Sequence, residues 1–360
     1  MYSKLFTPYT LGSTTLKNRI VMAPMTRSRA IGNVPNSIMA EFYAQRAAAG
    51  LLITEGTSPS PNGLGYARIP GIFNTEQIDG WKLVTNAVHE KGGKIFIQFM
   101  HTGRVGHELN LPTGAKIVAP SAIKAAGQMW TDREGMKDHP VPHAFSASEL
   151  LATKAEYVRA AKNAIDAGFD GVELHGANGY LLEQFISPNS NQRNDNYGGS
   201  IQNRTRFVIE VAQEISDAIG KDKTAIRLSP YGVFNDMPLY TERDATYTYL
   251  AEQLNRVGIA YIHLVDHSSQ GAPEVPVTIK RAIRSAFKNT LILSGGYDAD
   301  RAEADLESGA ADLIAFGKPF ISNPDFVARV KNNHPLSNKW DASTFYTPGE
   351  KGYTDYPAFA

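Results

Sequence analysis

The chain has 360 residues, with 36 Lys plus Arg against 36 Asp plus Glu and a formal charge of zero. That balance argues against a nucleic-acid binder working through a basic face, and 42% apolar against 20% charged residues argues against extensive disorder. Cysteine is absent, which removes disulfides, thiolate zinc sites, iron–sulfur clusters and cysteine nucleophiles together. No uncharged run exceeds twelve residues, short of the ~20 a membrane helix needs. The first residues lack the basic-then-apolar plan of a signal peptide and the last match no retention signal. A cytoplasmic protein with no membrane or nucleic-acid partner is expected, with monomer and dimer both open.

Eight short apolar runs read as buried strands, beginning at Ile20, Leu51, Lys94, Gly171, Ala225, Tyr261, Leu291 and Leu313. Segments with helical spacing lie between or after them, at residues 37–49, 75–91, 148–167, 200–219, 242–257, 275–287, 298–308 and 324–332. Strands alternating with helices imply a parallel sheet, and eight such units are the number that closes a (β/α)₈ barrel. A doubly wound open sheet is the competing arrangement. The spacings Ser146 to Glu149 and Thr241 to Asp244 mark two helix starts, because a hydroxyl followed by an acid satisfies free N–H groups of a first turn.

The interval between the third and fourth strands is roughly 30–40 residues longer than a βα unit needs, so residues 102–145 are expected to cap the barrel mouth. Residues 5–19 resemble a hairpin plugging the opposite end. The expectation is one α/β domain over residues 1–360, a single (β/α)₈ barrel with an N-terminal hairpin plug and that capping insertion.

Strands covered on both faces should be nearly all apolar, so their polar members carry information. Alternation aims Gln98 and Met100, then Glu173 and His175, then Arg227 and Ser229 into the barrel, with Pro24 and Thr26 assigned inward at the end of strand 1. An amide, an imidazole, a guanidinium and hydroxyls thus converge near the strands' C-terminal ends, where barrel enzymes keep their sites. A buried structural pair, Arg227 neutralising Glu173, is the plainer alternative. Gly295 and Gly296 after strand 7, and Phe316, Gly317 and Lys318 after strand 8, suit a phosphate, because glycine lets backbone N–H groups approach an anion.

His175 and Asn178 offer two neutral donors three residues apart, suited to gripping an oxygen that gains negative charge. Tyr180 follows as a weak acid able to protonate a carbanion-like carbon. His89, His107, His139, His143, His263, His267 and His334 lack metal-ligand spacing, so no metal is expected. His101 would either line the pocket or lie under the insertion.

With these residues in view, the chain resembles the old yellow enzyme family of FMN-dependent ene-reductases, on the side of N-ethylmaleimide reductase and pentaerythritol tetranitrate reductase. The likeness runs from Leu5-Phe6 and Lys17-Asn18-Arg19 through Ala23 to Arg27, Gly65-Tyr66-Ala67 and His101 to Arg104. It continues through the long block His175 to Arg204 and closes with Phe316-Gly317, Asn323-Pro324-Asp325 and Gly352 to Pro357. The resemblance implies tightly but non-covalently bound FMN across the barrel mouth. Pro24, Met25 and Thr26 would line one side of it, with Gly56 and Thr57 after strand 2, Gln98 at its pyrimidine edge and Arg227 near its anionic locus. Gly295, Gly296, Phe316, Gly317 and Lys318 would hold the phosphate, and Tyr66 and Met100 would shape the substrate pocket.

It also implies reduction by NADPH or NADH, followed by reduction of an α,β-unsaturated carbonyl or nitro compound gripped by His175 and Asn178 and protonated by Tyr180. Nitrate esters and nitroaromatics are alternative substrates of the same site. A flavin-free lyase or isomerase acting on a phosphorylated substrate, and an FMN-binding module without turnover, are the readings from other classes. Thr26 in place of cysteine resembles the subgroup of old yellow enzyme itself rather than the thermophile-type subgroup. Two positions depart from the family pattern: Met100 replaces a tryptophan, implying a roomier pocket, and Lys318 replaces an arginine, implying slightly weaker FMN retention.

Overall fold

A computed structural model describes residues 2–359. The eight expected strands form one closed parallel barrel in chain order: Ile20–Met22, Leu51–Thr57, Ile95–Phe99, Gly171–Gly176, Thr224–Leu228, Tyr261–Val265, Thr290–Ser294 and Leu313–Phe316. They are strands 1 to 8 below. Pairing of strand 8 with strand 1 closes the ring, which excludes the open doubly wound sheet.

Alternation sorts the side chains into two apolar sets. Ile20, Met22, Ile97, Phe99, Val172, Leu174, Ile226 and Leu228 face the surrounding helices, whereas Val21, Ala23, Phe96, Ala225 and Tyr261 share an interior cluster with Leu11 and Leu16. Those two leucines belong to an antiparallel hairpin of Tyr9–Leu11 and Thr14–Leu16. The hairpin therefore plugs the barrel floor and leaves the opposite mouth for chemistry.

Helix starts follow their capping residues. Ser146 and Glu149 form the full reciprocal box ahead of Ala147–Asp166, and Asn36, Asn74, Ser200 and Asp298 each accept from an N–H of the first turn they precede. The box expected at Thr241 and Asp244 does not form. The helix Arg243–Val257 begins after Glu242 with no side-chain cap, because the Asp244 carboxylate is taken by the Tyr231 hydroxyl at 3.0 Å.

Two further corrections concern the barrel itself. Regular pairing of strand 1 ends at Met22, and the inward parity is that of Val21 and Ala23. Pro24 and Thr26 reach the mouth because the chain has left the sheet, not by alternation. Strand 2 carries an irregularity between Ile53 and Gly56, where the Thr54 hydroxyl accepts the N–H of Gln98 at 3.0 Å.

The insertion at residues 102–145 does cap the mouth. Its antiparallel ribbon, Gln128–Thr131 with Gly135–Asp138, lies over the cavity and supplies Met129, Trp130 and Met136 to the cavity wall.

Candidate active site

The barrel mouth opens into a cavity of about 1200 Å³, larger than a typical small-ligand pocket of ~300–1000 Å³. Its floor is set by register. Glu173 pairs with Gln98, and His175 with Arg227, which in turn pairs with His263. The buried Glu173 carboxylate accepts from Gln98 Nε2 at 2.7 Å and lies 2.9 Å from His263 Nδ1. His263 Nε2 is 2.9 Å from the Ser294 hydroxyl. Glu173 is thus satisfied by an amide and an imidazole, and the expected alternative of an Arg227–Glu173 ion pair is not what forms.

Arg227 makes no ion pair, and its buried Nε has no hydrogen-bond partner. Its guanidinium pKa is lowered by burial, opposed by the field of Glu173. A desolvated cation with open donors, lining a cavity, is a position built for an anionic or electron-rich ligand. Gln98 spends one N–H on Glu173, so its second N–H and its carbonyl oxygen remain for the cavity.

At the rim, Gly295 and Gly296 have φ of +120° and +62°, and a Cβ on Gly295 would stand 1.9 Å from the Asp266 carbonyl. Opposite, a Cβ added to Gly317 would meet nothing nearer than Met25 Sδ at 3.8 Å. Space in front of that backbone is open, and exposed Lys318 stands beside it. Cationic Arg227, the two glycine turns and Lys318 together fit a flavin bearing a phosphate tail.

The wall beyond strand 4 is made by Asn178, in the left-handed region at φ 61°, and Gly179 at φ 78°. The buried Glu183 carboxylate fixes this turn, accepting from Gly179 N–H at 2.6 Å, the Ser229 hydroxyl at 3.0 Å and the Tyr247 hydroxyl at 2.6 Å. Burial still pushes the Glu183 carboxyl up to about 7.

Burial, with Arg227 beside it, holds the His175 imidazole well below its usual range. The ring is neutral, and Nδ1 accepts the Ala177 N–H at 3.3 Å, so the proton resides on Nε2. The Tyr180 hydroxyl lies 3.0 Å from that of Tyr66. Its pKa is raised by burial, partly countered by Tyr66 and Asn235. Tyr180 also stands edge-on to His175 at 4.8 Å between ring centroids.

The cavity thus brings together Pro24, Met25, Thr26, Tyr66, Gln98, Met100, His175, Asn178, Tyr180, Arg227, Gly295, Gly296, Phe316, Gly317 and Lys318. Gly56 and Thr57 are the exceptions and do not line it. A Cβ on Gly56 would lie 2.5 Å from Met100 Sδ, and the Thr57 hydroxyl is spent on the Glu55 carbonyl at 3.0 Å. These two residues back the Met100 wall instead. His101 is buried away from the cavity, with Nδ1 accepting from Gly103 N–H at 3.1 Å and its pKa lowered to about 3 by burial.

Besides the expected insertion, three groups outside the sequence reading line the cavity: His267, Asn235 and the segment at residues 343–348. His267 lies two residues past the end of strand 6, beyond the reach of strand alternation. The segment at 343–348 had no signal in the sequence. It is held over the mouth by Arg27 and Arg29, which donate to the carbonyls of Phe345 and Gly352 and of Thr344, Phe345, Gly349 and Lys351 at 2.6–3.2 Å. Among the described residues, no group of three or more His, Asp or Glu is placed to hold a metal, and no helix is long and apolar enough to cross a membrane.

A closed barrel with a desolvated arginine under its mouth and a glycine-lined anion cradle at its rim defines the class of barrel flavin oxidoreductases. Residues 4–337 match the family described as NADH:flavin oxidoreductase / NADH oxidase. The chain is 41% identical over 371 aligned positions to 12-oxophytodienoate reductase 7 of Oryza sativa subsp. japonica, covering 98% of this chain and 94% of that protein. It is 42% identical to a probable flavin mononucleotide-dependent alkene reductase of Leishmania infantum, covering 97% and 96%. The structure of morphinone reductase in complex with tetrahydroNAD superposes with a TM-score of 0.93 at 43% identity, covering 99% of this chain and 98% of that one. The chain belongs to the old yellow enzyme family and is an FMN-dependent oxidoreductase of the alkene-reductase type, served by NADH or NADPH. That membership sets aside the flavin-free lyase or isomerase.

Proposed function

We propose that the protein reduces the activated C=C bond of α,β-unsaturated carbonyl or nitro compounds, with His175 and Asn178 gripping the substrate oxygen and Tyr180 supplying the proton. One observation carries this reading. A neutral imidazole N–H, a free amide N–H₂ and a protonated phenol face one cavity, on a turn fixed by Glu183. When bound, FMN supplies the hydride chemistry. Pro24, Met25, Thr26, Gln98 and Arg227 would hold its ring, and Gly295, Gly296, Phe316, Gly317 and Lys318 its phosphate. The whole chain would act as a single FMN-binding unit.

The protein groups divide the remaining work. His175 Nε2–H and Asn178 Nδ2–H bond the substrate oxygen and stabilise the charge that gathers there. Burial keeps Tyr180 protonated near neutral pH, so the phenol arrives at each turnover with its proton to give. The insertion ribbon and the segment at 343–348 line the cavity and would limit its exposure to water.

The test is the oxidative half-reaction of reduced enzyme with 2-cyclohexenone, followed by anaerobic stopped-flow in wild type and Tyr180→Phe. Oxidation should slow by about 10²-fold or more in the variant, as for loss of a general acid. An unchanged rate would remove Tyr180 from the proton-donor role. Running maleimide, nitroalkene and nitrate-ester substrates alongside assigns the preferred class.

A further inference from the structure

Asn178 grips an oxygen only if its N–H₂, and not its carbonyl, faces the cavity. The two orientations differ by a half-turn of the amide, and an amide in open space has little reason to choose. Here three of its four polar groups are committed. Its backbone N–H donates to the Ser229 hydroxyl at 2.9 Å, and its backbone carbonyl accepts from Asn235 Nδ2 at 2.7 Å. Its side-chain Oδ1 lies 2.6 Å from His267 Nε2.

The imidazole is constrained in turn. Gln270 Nε2 lies 3.3 Å from His267 Nδ1, and an amide nitrogen only donates. With the Gln270 amide in this orientation, Nδ1 is the accepting nitrogen and Nε2 the protonated one, which matches Nε2 facing the Asn178 Oδ1. The Phe234 ring stands edge-on to the imidazole at 4.7 Å between centroids and limits its rotation. His267 is itself buried, projecting from the end of strand 6 into the cavity.

We propose that His267, with its tautomer set by Gln270, is a positioning residue that locks the Asn178 amide with its N–H₂ toward the substrate. It thereby restricts the site to ligands that present a hydrogen-bond-accepting oxygen. Without it, Asn178 is free to turn its Oδ1 inward, where it would repel a carbonyl or nitro oxygen. The inference rests on the proposed role of Asn178 in gripping the substrate oxygen.

A double-mutant cycle on the FMN-loaded enzyme tests it. 2-Cyclohexenone is titrated against oxidised holoenzyme, which cannot reduce it, and binding is read from the change in flavin absorbance. His267→Leu should weaken binding about 10-fold, the effect of about one hydrogen bond, and Asn178→Ala by a similar factor. The double variant should be no weaker than Asn178→Ala alone to within about 2-fold, because both changes remove the same interaction. His267→Gln, which retains a neutral N–H donor, should recover most of the loss, and Gln270→Ala, at an exposed residue, should weaken binding about 2- to 3-fold. The FMN dissociation constant should be unchanged in His267→Leu.

Additive losses, an unaffected His267→Leu, an unaffected Asn178→Ala, or FMN release in parallel with ligand would each overturn the proposal. Should His267→Leu fail to fold, the His267→Gln and Gln270→Ala pair carries the test, with tenfold weakening in the first overturning it. Binding in the oxidised state is separate from turnover. A non-additive cycle in an enzyme that reduces no enone would uphold His267 and refute the proposed reaction.

Discussion

The hydroxyls of Tyr66 and Tyr180 face each other across the cavity at 3.0 Å, on rings set at 77°. Tyr180 therefore has a partner that can donate to its oxygen at the moment it gives up a proton. Tyr66→Phe should leave Tyr180 competent but less acidic. The expected result is a fall of about 3- to 10-fold in the rate of flavin oxidation by enone, smaller than that of Tyr180→Phe and with little change in reduction by NADPH. Stopped-flow of the two half-reactions separates these outcomes.

His175 acts as a neutral donor because burial and Arg227 depress its pKa well below the usual 6.5. A depressed histidine does not charge as pH falls through 6.5, so the ring NMR shifts of His175 should be flat between about pH 6 and 8. A transition centred near 6.5 would show that the imidazole is not neutral as described. His175→Ala should lower kcat/KM by about 10²- to 10³-fold, as for a lost oxyanion donor.

Glu183 sets a stability profile of the opposite kind. Its carboxyl pKa is raised in the fold from 4.5 to about 7, with burial the main cause. The folded state therefore holds that proton more tightly than the unfolded chain. The contribution is complete below about pH 4.5 and is lost as pH rises to about 7, an effect of order 3 kcal/mol at ~1.4 kcal/mol per unit. The buried imidazoles of His101 and His267, lowered to about 3 and about 4, act in reverse, losing stability as pH falls below 6.5. The measurement is therefore the difference in urea unfolding free energy between wild type and Glu183→Gln, which should shrink from pH 5 to pH 8. A constant difference would contradict the raised carboxyl.

Lys318 keeps a positive charge beside Gly317 but lacks the planar fork with which arginine engages a phosphate. Lys318→Arg should tighten FMN by about 2- to 5-fold, measured by fluorescence of released flavin. Arg227→Met should weaken FMN far more, by at least 10-fold, since it removes the desolvated cation under the mouth. No tightening in Lys318→Arg would leave the exposed lysine outside the phosphate site.

Gly56 holds Met100 in place by having no side chain. Gly56→Ala would set a Cβ 2.5 Å from Met100 Sδ and 2.9 Å from its Cβ, so the thioether must shift within the cluster that also contains Leu64 and Ile69 and borders Tyr66 and Tyr180. The pocket should narrow, raising KM for bulky enones by about 10-fold while changing 2-cyclohexenone by less than about 3-fold. Equal effects on both would indicate general destabilisation.

The barrel was legible because each strand is short, apolar and followed by a helical period, and because inward parity exposed Gln98, Glu173, His175 and Arg227 as misfits. Parity misled where pairing stopped, at Met22, so Pro24 and Thr26 were assigned inward for a reason that does not operate. His267 lies past the end of strand 6, where the chain has turned out of the sheet, so alternation does not reach it either. Gly56 illustrates a different limit: the room its missing side chain leaves for Met100, one strand away, is a contact no local pattern encodes. The closure by residues 343–348 depends on contacts to Arg27 and Arg29 more than 300 positions earlier, which no local pattern encodes.

Those two arginines also impose an order of events on biosynthesis. The wall they secure is translated after the eight strands, the hairpin and the insertion, so a nascent chain that has already closed its barrel still presents an uncovered mouth. The pocket is completed only when residues 344–352 have emerged and docked. FMN is therefore expected to be sealed in only once that segment has docked, after the barrel itself has closed.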